Sequence, residues 1–186
     1  MFSEDEIRTI LFKKFSGSNN LVLTKWRGWT IYGTGGKGES VFLRMEFDIA
    51  RFERRVRQYL SPEITLTGYE VKGVTRTKEG ESRFPSFAEG VSQALALLFQ
   101  GADYSYLVWP EPDDDTRSAL KTLLDRYCPI VGLIFVMKTE NLWEYRKATK
   151  NSYTSDETKK RMLSALLSGG HYSDSYVPDW ARRHEF

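Results

Sequence analysis

Residues 41–49 alternate. Val41, Leu43, Met45, Phe47 and Ile49 are apolar, whereas Arg44, Glu46 and Asp48 are polar. Strand side chains point to opposite faces in turn, so this spacing predicts a half-buried strand whose polar face carries two acids near its end. The spacing then becomes helical. Over residues 51–60, Phe52, Val56, Tyr59 and Leu60 share one side and Arg51, Arg54, Arg55 and Arg57 the other, and Ser61-Pro62 stops the predicted helix.

The same reading along the rest of the chain predicts an alternating order. SEDEIRTILFKKF is a helix opened by a Ser3/Glu6 capping box, with Ile7, Ile10, Leu11 and Phe15 as its stripe. NLVLTKWRGWTIYG has strand composition, and GTGGKGES reads as a hairpin loop; it lacks the spacing of a phosphate-binding P-loop. ITLTGYEVKGV is a strand, TRTKEGESRFPS a polar loop, and FAEGVSQALALLFQGA a helix with Gly101 near its C-terminal end. DYSYLVWP is a strand, TRSALKTLLDRYC an amphipathic helix, and IVGLIFVM a fully buried strand. SDETKKRMLSALLSGG is a capped helix, and HYSDSYVPDWARRHEF a tail in which Trp180 calls for packing. Helices alternating with strands predict an α/β fold, a mixed central sheet flanked by helices. The expected organisation is a core over residues 1–140 and a short helical C-terminal extension over 141–186.

Composition narrows the chemistry. The 186 residues carry a net charge of +2, which diagnoses no partner. One cysteine, Cys128, excludes an internal disulfide and a cysteine zinc site. Both histidines, His171 and His184, lie near the C-terminus, so a histidine-based centre in the body of the chain is not expected. No apolar run spans a membrane, and the acidic start lacks the pattern of a secretory leader, so a cytoplasmic protein is expected. Core catalysis then falls to carboxylates, lysine and a hard metal ion.

TGYEVKG carries that chemistry. Glu70 and Lys72, two apart in a strand, share a face, and Tyr69 and Val71 share the other. The plain reading is a salt bridge on a solvated sheet. The functional one brings in Asp48: if its strand lies beside this one, two carboxylates and a lysine meet at one sheet edge. Paired carboxylates favour a hard cation between them, and magnesium commonly takes one or two carboxylates plus water and substrate phosphate. Glu46 is an alternative to Asp48.

An acid, a spacer and Glu-Val-Lys, between a helix with an N-terminal acid and a helix bearing Gln93, resemble the PD-(D/E)xK nuclease superfamily, which includes restriction endonucleases and archaeal Holliday-junction resolvases. The resemblance covers residues 3–137. It implies a restriction-endonuclease-like fold and Mg²⁺- or Mn²⁺-dependent hydrolysis of DNA phosphodiester bonds. Asp48 and Glu70 would be metal ligands, joined by Glu4 from the first helix. Lys72 would act as base or water-orienting group, with Gln93 beside it. The sequence departs from the pattern in having Phe47 where proline is usual and 21 residues between Asp48 and Glu70; Pro62-Glu63 offers a literal but poorly spaced match. Lys37, Arg51, Arg54, Arg55, Arg76 and Lys78 are candidate contacts to the nucleic-acid backbone; for the arginine run, a solvated helix face is the plain alternative. A homodimer fits an enzyme that cuts two strands. The alternative function is a catalytically inactive module of the same fold that binds nucleic acid or protein.

Overall fold

A computed structural model describes residues 2–34, 40–58, 60–76, 80, 82–83, 86–169 and 174–186. Its centre is a seven-stranded mixed sheet in the order β8-β7-β6-β3-β2-β1-β9. The long strands β1 (Asn20–Thr34) and β2 (Ser40–Arg55) form an antiparallel hairpin, and β2 pairs antiparallel with β3 (Glu63–Val71). From β3 the chain crosses through α2 (Phe87–Phe99) to β6 (Tyr104–Pro110), then through α3 (Asp114–Tyr127) to β7 (Gly132–Val136). Both added strands are parallel to their neighbours, as helical crossovers require. The two-residue strands β4 (Thr75–Arg76) and β5 (Ser82–Arg83) form a separate ribbon within the polar loop.

One face of the sheet is covered by α1 (Glu4–Phe15), whose Ile7, Ile10 and Leu11 pack on Val22, Ile49, Tyr69, Val71 and Val108. On the other, α2 and α3 bury Ala94, Leu120 and Leu124 against Leu107, Leu133 and Phe135. Beside them, α4 (Asp156–Gly169) and Trp180 cover Leu21, Leu23, Phe47, Phe52, Ile64 and Leu66. The Ser3/Glu6 capping box forms as expected, and Gly101 takes the positive φ that ends α2.

Two sequence expectations are corrected. Residues 51–55 continue β2 rather than starting a helix, because β1 and β3 offer main-chain partners on both sides: Phe52 pairs with Leu21 and with Leu66. Helical side-chain spacing loses to two complete ladders. The C-terminal segment is not solely helical. Its β8 (Leu142–Arg146) pairs with β7 at one edge of the sheet, and its β9 (Asp174–Tyr176) pairs with β1 at the other; α5 (Asp179–Arg182) follows. Among the described residues no helix is long and apolar enough to cross a membrane.

A buried ion pair fixes the C-terminal segment to the core. Lys159 of α4 donates to both carboxylate oxygens of Asp103 at 3.0 Å, and Asp103 also accepts from the Leu66 amide at 2.8 Å and the Thr154 hydroxyl at 2.7 Å. Removing one partner of such a pair strands a buried charge, at a cost of about 3–5 kcal/mol. Lys159→Met is therefore expected to lower stability by about that amount in chemical denaturation, and adding Asp103→Asn should recover part of the loss.

Candidate active site

The site begins where β2 and β3 part. Their pairing runs from Arg55↔Glu63 to Ile49↔Tyr69 and stops there, one step before Asp48 would face Glu70. On its other side β3 stays on β6: Val71 pairs with Val108, and the Lys72 amide bonds to the Val108 carbonyl at 2.9 Å. Once β2 has left, the Val71 amide would be an unmet donor. The Asp48 carboxylate takes it, Val71 N to Asp48 Oδ2 at 2.8 Å. One acid thus ends the ladder and is held at the mouth of the opening.

A change of phase in the hairpin aims it there. Strict alternation keeps residues two apart on one face. Yet Phe47 and Ala50, three apart, share the α4-side cluster, and Ile49 between them lies in the α1-side cluster. In β1, Leu23 and Trp26 show the same three-residue step. Lys25, between them, has φ +48°, a left-handed conformation unusual for a side-chain-bearing residue. The register on both sides of the step is unchanged, Thr24↔Ile49 and Trp26↔Phe47, so the strands turn through it together. The alternation of residues 41–49 therefore does not put Phe47 and Ile49 on one face.

Glu70 and Lys72 lie on the α2 side of β3, away from Tyr69 and Val71, which pack under α1. Lys72 Nζ is 2.9 Å from Glu70 Oε1, donates to Gln93 Oε1 of α2, and lies 3.8 Å from Glu89 Oε1. Space for the lysine stem depends on Gly90, where a Cβ would come within 3.2 Å of Lys72 Cγ and 2.9 Å of Leu107. Gly73 does the same for α1: a Cβ there would stand 2.1 Å from the Glu4 amide nitrogen. With the Val74 amide bonded to the Phe2 carbonyl at 3.0 Å, this contact seats the start of α1 against the end of β3. The site therefore lies at the carboxyl end of a strand in the parallel part of the sheet, where open α/β sheets bind ligands.

Electrostatics set the four groups apart from an ordinary surface cluster. The Glu70 carboxyl is pushed up to about 7 by burial first and by Asp48 second; Lys72 offsets this in part, and Glu4 adds to it. Burial works against the Lys72 charge, but Glu70, Glu4 and Glu89 outweigh it, so the ammonium is held above its ordinary value. Asp48 Oδ1 accepts from Arg8 Nη1 at 2.8 Å. Arg8 also reaches Asp5 Oδ1 at 2.5 Å and lies 3.8 Å from Glu4.

The structure thus brings Asp48, Glu70, Lys72 and Gln93 together and places Glu4 at their edge. Glu46 is exposed, and it is Asp48 that bonds to β3. Glu63 lies at the opposite end of β3, 3.4 Å from Arg57. Among the described residues no group of three or more His, Cys, Asp or Glu is arranged to hold a metal, so Glu4 does not close a three-carboxylate cage. Asp48 and Glu70 remain a hard-oxygen pair of the kind magnesium takes alongside water and phosphate. The Glu70 carboxyl, raised by burial and by the Asp48 charge beside it, is the imbalance that a dication would relieve.

The arginine candidates do not form a common surface. Arg51 lies over Phe15 at 4.9 Å on the α1 side and 3.5 Å from Glu53, and Arg54 pairs with Glu185 of the C-terminal segment at 3.5 Å. Arg55 pairs with Glu53 at 2.8 Å. In the expected helix these would have shared a face; in a strand they alternate. Lys37 and Lys78 lie outside the described residues, and Arg76 belongs to β4, pairing with Ser82. Sequence reasoning missed Arg8, although its i,i+4 spacing from Glu4 and i,i+3 spacing from Asp5 were visible signals.

Two outcomes follow from this geometry. Gly73→Ala should unseat the start of α1, costing about 1–3 kcal/mol as overpacking does, with faster amide exchange at Val74. For Glu70, a folded-state value raised above the ordinary 4.5 means that the folded chain holds the proton more tightly. Metal-free stability should therefore fall as pH rises from about 4.5 to 7. Glu70→Gln should abolish that slope and raise stability at pH 8, by at most about 3 kcal/mol, in denaturation with chelator present. No protein-family model matches the chain, and no curated protein is significantly similar to it.

Proposed function

We propose that the protein is a metal-dependent nuclease of the PD-(D/E)xK type that hydrolyses phosphodiester bonds in DNA, with magnesium or manganese as its cofactor. The observation that carries this reading is the meeting of Asp48, Glu70 and Lys72 where β2 and β3 part. Asp48 converges with Glu70 and Lys72, more than twenty residues on, in the order of acid, acid and lysine that the resemblance implies. The seven-stranded mixed sheet between helical layers supports a restriction-endonuclease-like core.

On this reading Asp48 and Glu70 would hold the cation, with Asp48 fixed in place by its bond to the Val71 amide. When bound there, magnesium supplies positive charge against the phosphate and lowers the pKa of a coordinated water. Lys72 is positioned by two elements at once, through Glu70 of β3 and Gln93 of α2. Its ammonium has protons to give and no free lone pair. Its part is to orient the attacking water by hydrogen bonding and to offset charge growing on the phosphate oxygens, rather than to accept a proton. Gln93 contributes by holding Nζ in place; Glu4, 39% exposed at its side chain, bears on the site through its charge.

One observation favours the alternative of an inactive binding module. Each acid already has a cationic partner, Arg8 on Asp48 and Lys72 on Glu70, and such pairs are stable without metal. The two readings diverge on metal affinity and cleavage. The nuclease should cut linear, branched or single-stranded DNA only with Mg²⁺ or Mn²⁺. Glu70→Ala and Lys72→Ala should each reduce that cleavage by about 10²-fold or more while circular dichroism stays native. Equal cleavage by wild type and both variants removes this site from the reaction. Calorimetry with Mn²⁺ that shows no binding dependent on Asp48 supports the module instead.

A further inference from the structure

A cleft of about 530 Å³ opens beside the proposed site, between α1 and the edge formed by β1 and β9, and is lined by Asp5, Arg8, Thr9, Phe12, Lys25 and Ser175, with Thr24. Two cations in it converge on a single atom: Asp5 Oδ1 lies 2.5 Å from Arg8 Nη2 and 3.8 Å from Lys25 Nζ. Asp5 is 80% exposed at its side chain, whereas Arg8 is 13% exposed and anchored through its other terminal nitrogen to Asp48. Arg8 belongs to the scaffold, whereas Lys25, 46% exposed, and the anion between them are solvated side chains. Lys25 reaches this position from a left-handed backbone, a conformation that side-chain-bearing residues disfavour. Strain of this kind at the rim of a site is a reason to look for a ligand.

We infer that the Arg8–Lys25 pair is a binding subsite for a phosphate of the nucleic-acid strand flanking the scissile bond, and that Asp5 is its displaceable internal stand-in. The inference rests on the nuclease reading for the identity of the ligand. Its geometry is independent of metal. A phosphate oxygen between Nη2 and Nζ keeps the guanidinium's bond to Asp48 and replaces the carboxylate oxygen of Asp5, which can turn to solvent. The hydroxyl of Ser175 lines the same cleft and suits a neighbouring phosphate or sugar oxygen, that of Thr9 already donates to the Asp5 carbonyl at 2.9 Å, and Phe12 provides an apolar wall. Phosphate contacts of this kind set the register of a strand and carry no sequence information. The subsite would therefore position DNA against Asp48 without selecting its bases. Asp5 lowers affinity by competing, so that only a polyanion able to add further contacts displaces it.

The test is equilibrium binding of a fluorescein-labelled single-stranded oligonucleotide by full-length protein in chelator, where no cleavage occurs. Lys25→Gly should weaken binding about 3–10-fold at low salt and reduce the slope of log K against log salt by about 1. Because it also relieves the positive φ, this variant should leave thermal stability unchanged or raised, which a merely structural role for Lys25 would not give. Asp5→Asn should tighten binding by a similar factor. Failure of either shift, with wild-type binding intact, overturns the subsite. Binding that responds as stated in a protein that shows no metal-dependent cleavage keeps the subsite and sinks the nuclease reading. Cleavage that persists while neither variant alters binding does the reverse.

Discussion

The bond between the Val71 amide and the Asp48 carboxylate is the constraint on which the site depends. Strand β3 is committed on its β6 side through Val71 and Lys72, and on its β2 side only as far as Tyr69. A sheet that closed fully would pair Asp48 with Glu70 through the backbone and leave no opening. A sheet that opened with no substitute for the lost hydrogen bond would leave a main-chain donor unmet, a cost of about 1–3 kcal/mol. The Asp48 side chain resolves this by serving as the acceptor itself. The opening and the acid are therefore one feature. Neither can be removed without the other, and the phase change at Lys25 and Asp48 is what turns the acid toward the amide.

Around that opening the charges nearly balance but do not cancel. Lys72 neutralises Glu70 and Arg8 neutralises Asp48, yet the Glu70 carboxyl stays raised because burial and Asp48 outweigh the lysine. Natural chains generally lose such an arrangement from a stable core unless it is used, since replacing a buried charge cluster by apolar groups is commonly neutral or stabilising. The Asp103–Lys159 pair makes a useful contrast. It is more deeply buried, and its carboxylate accepts from an amide, a hydroxyl and an ammonium, a set that holds α4. The paired acids at the opening have fewer donors per oxygen.

The sequence made the elements that bury one continuous stripe legible: α1 with its capping box, α2, α3, β6 and the fully buried β7. It also made Glu70 and Lys72 legible as a pair, because a two-residue spacing in a strand fixes their common face whatever the partners are. It misread residues 51–55 because side-chain spacing records only local preference, and the ladders to β1 and β3 are non-local. β8 and β9 escaped for a related reason. Both are short edge strands, the side chains of β8 are exposed or half-buried, and what defines each strand is the neighbour it pairs with. The step at Asp48 was hidden because a phase slip interrupts the alternation that the residue pattern itself continues through Ile49. Arg8 was visible as an ion-pair partner within its own helix but not as a partner for Asp48, forty positions away.

Arg8 is also where the two functional readings come down to one competition. A cation held by Asp48 and Glu70 would compete with Arg8 for the Asp48 carboxylate, whose Oδ2 also accepts from the Val71 amide. Arg8 does not lose its charge partners in the process, since Asp5 already accepts from its other nitrogen and Glu4 lies 3.8 Å away. A dication would be attracted to two carboxylates where the guanidinium holds one, and would offset the burial and the Asp48 charge that raise Glu70. Desolvating a small hard ion opposes this, which is why magnesium keeps several of its waters and benefits from substrate phosphate as a further ligand. On the nuclease reading, then, cation and DNA would bind better together than apart. In a binding module Arg8 stays where it is, and the opening is a salt-bridged notch with the same shape and no chemistry.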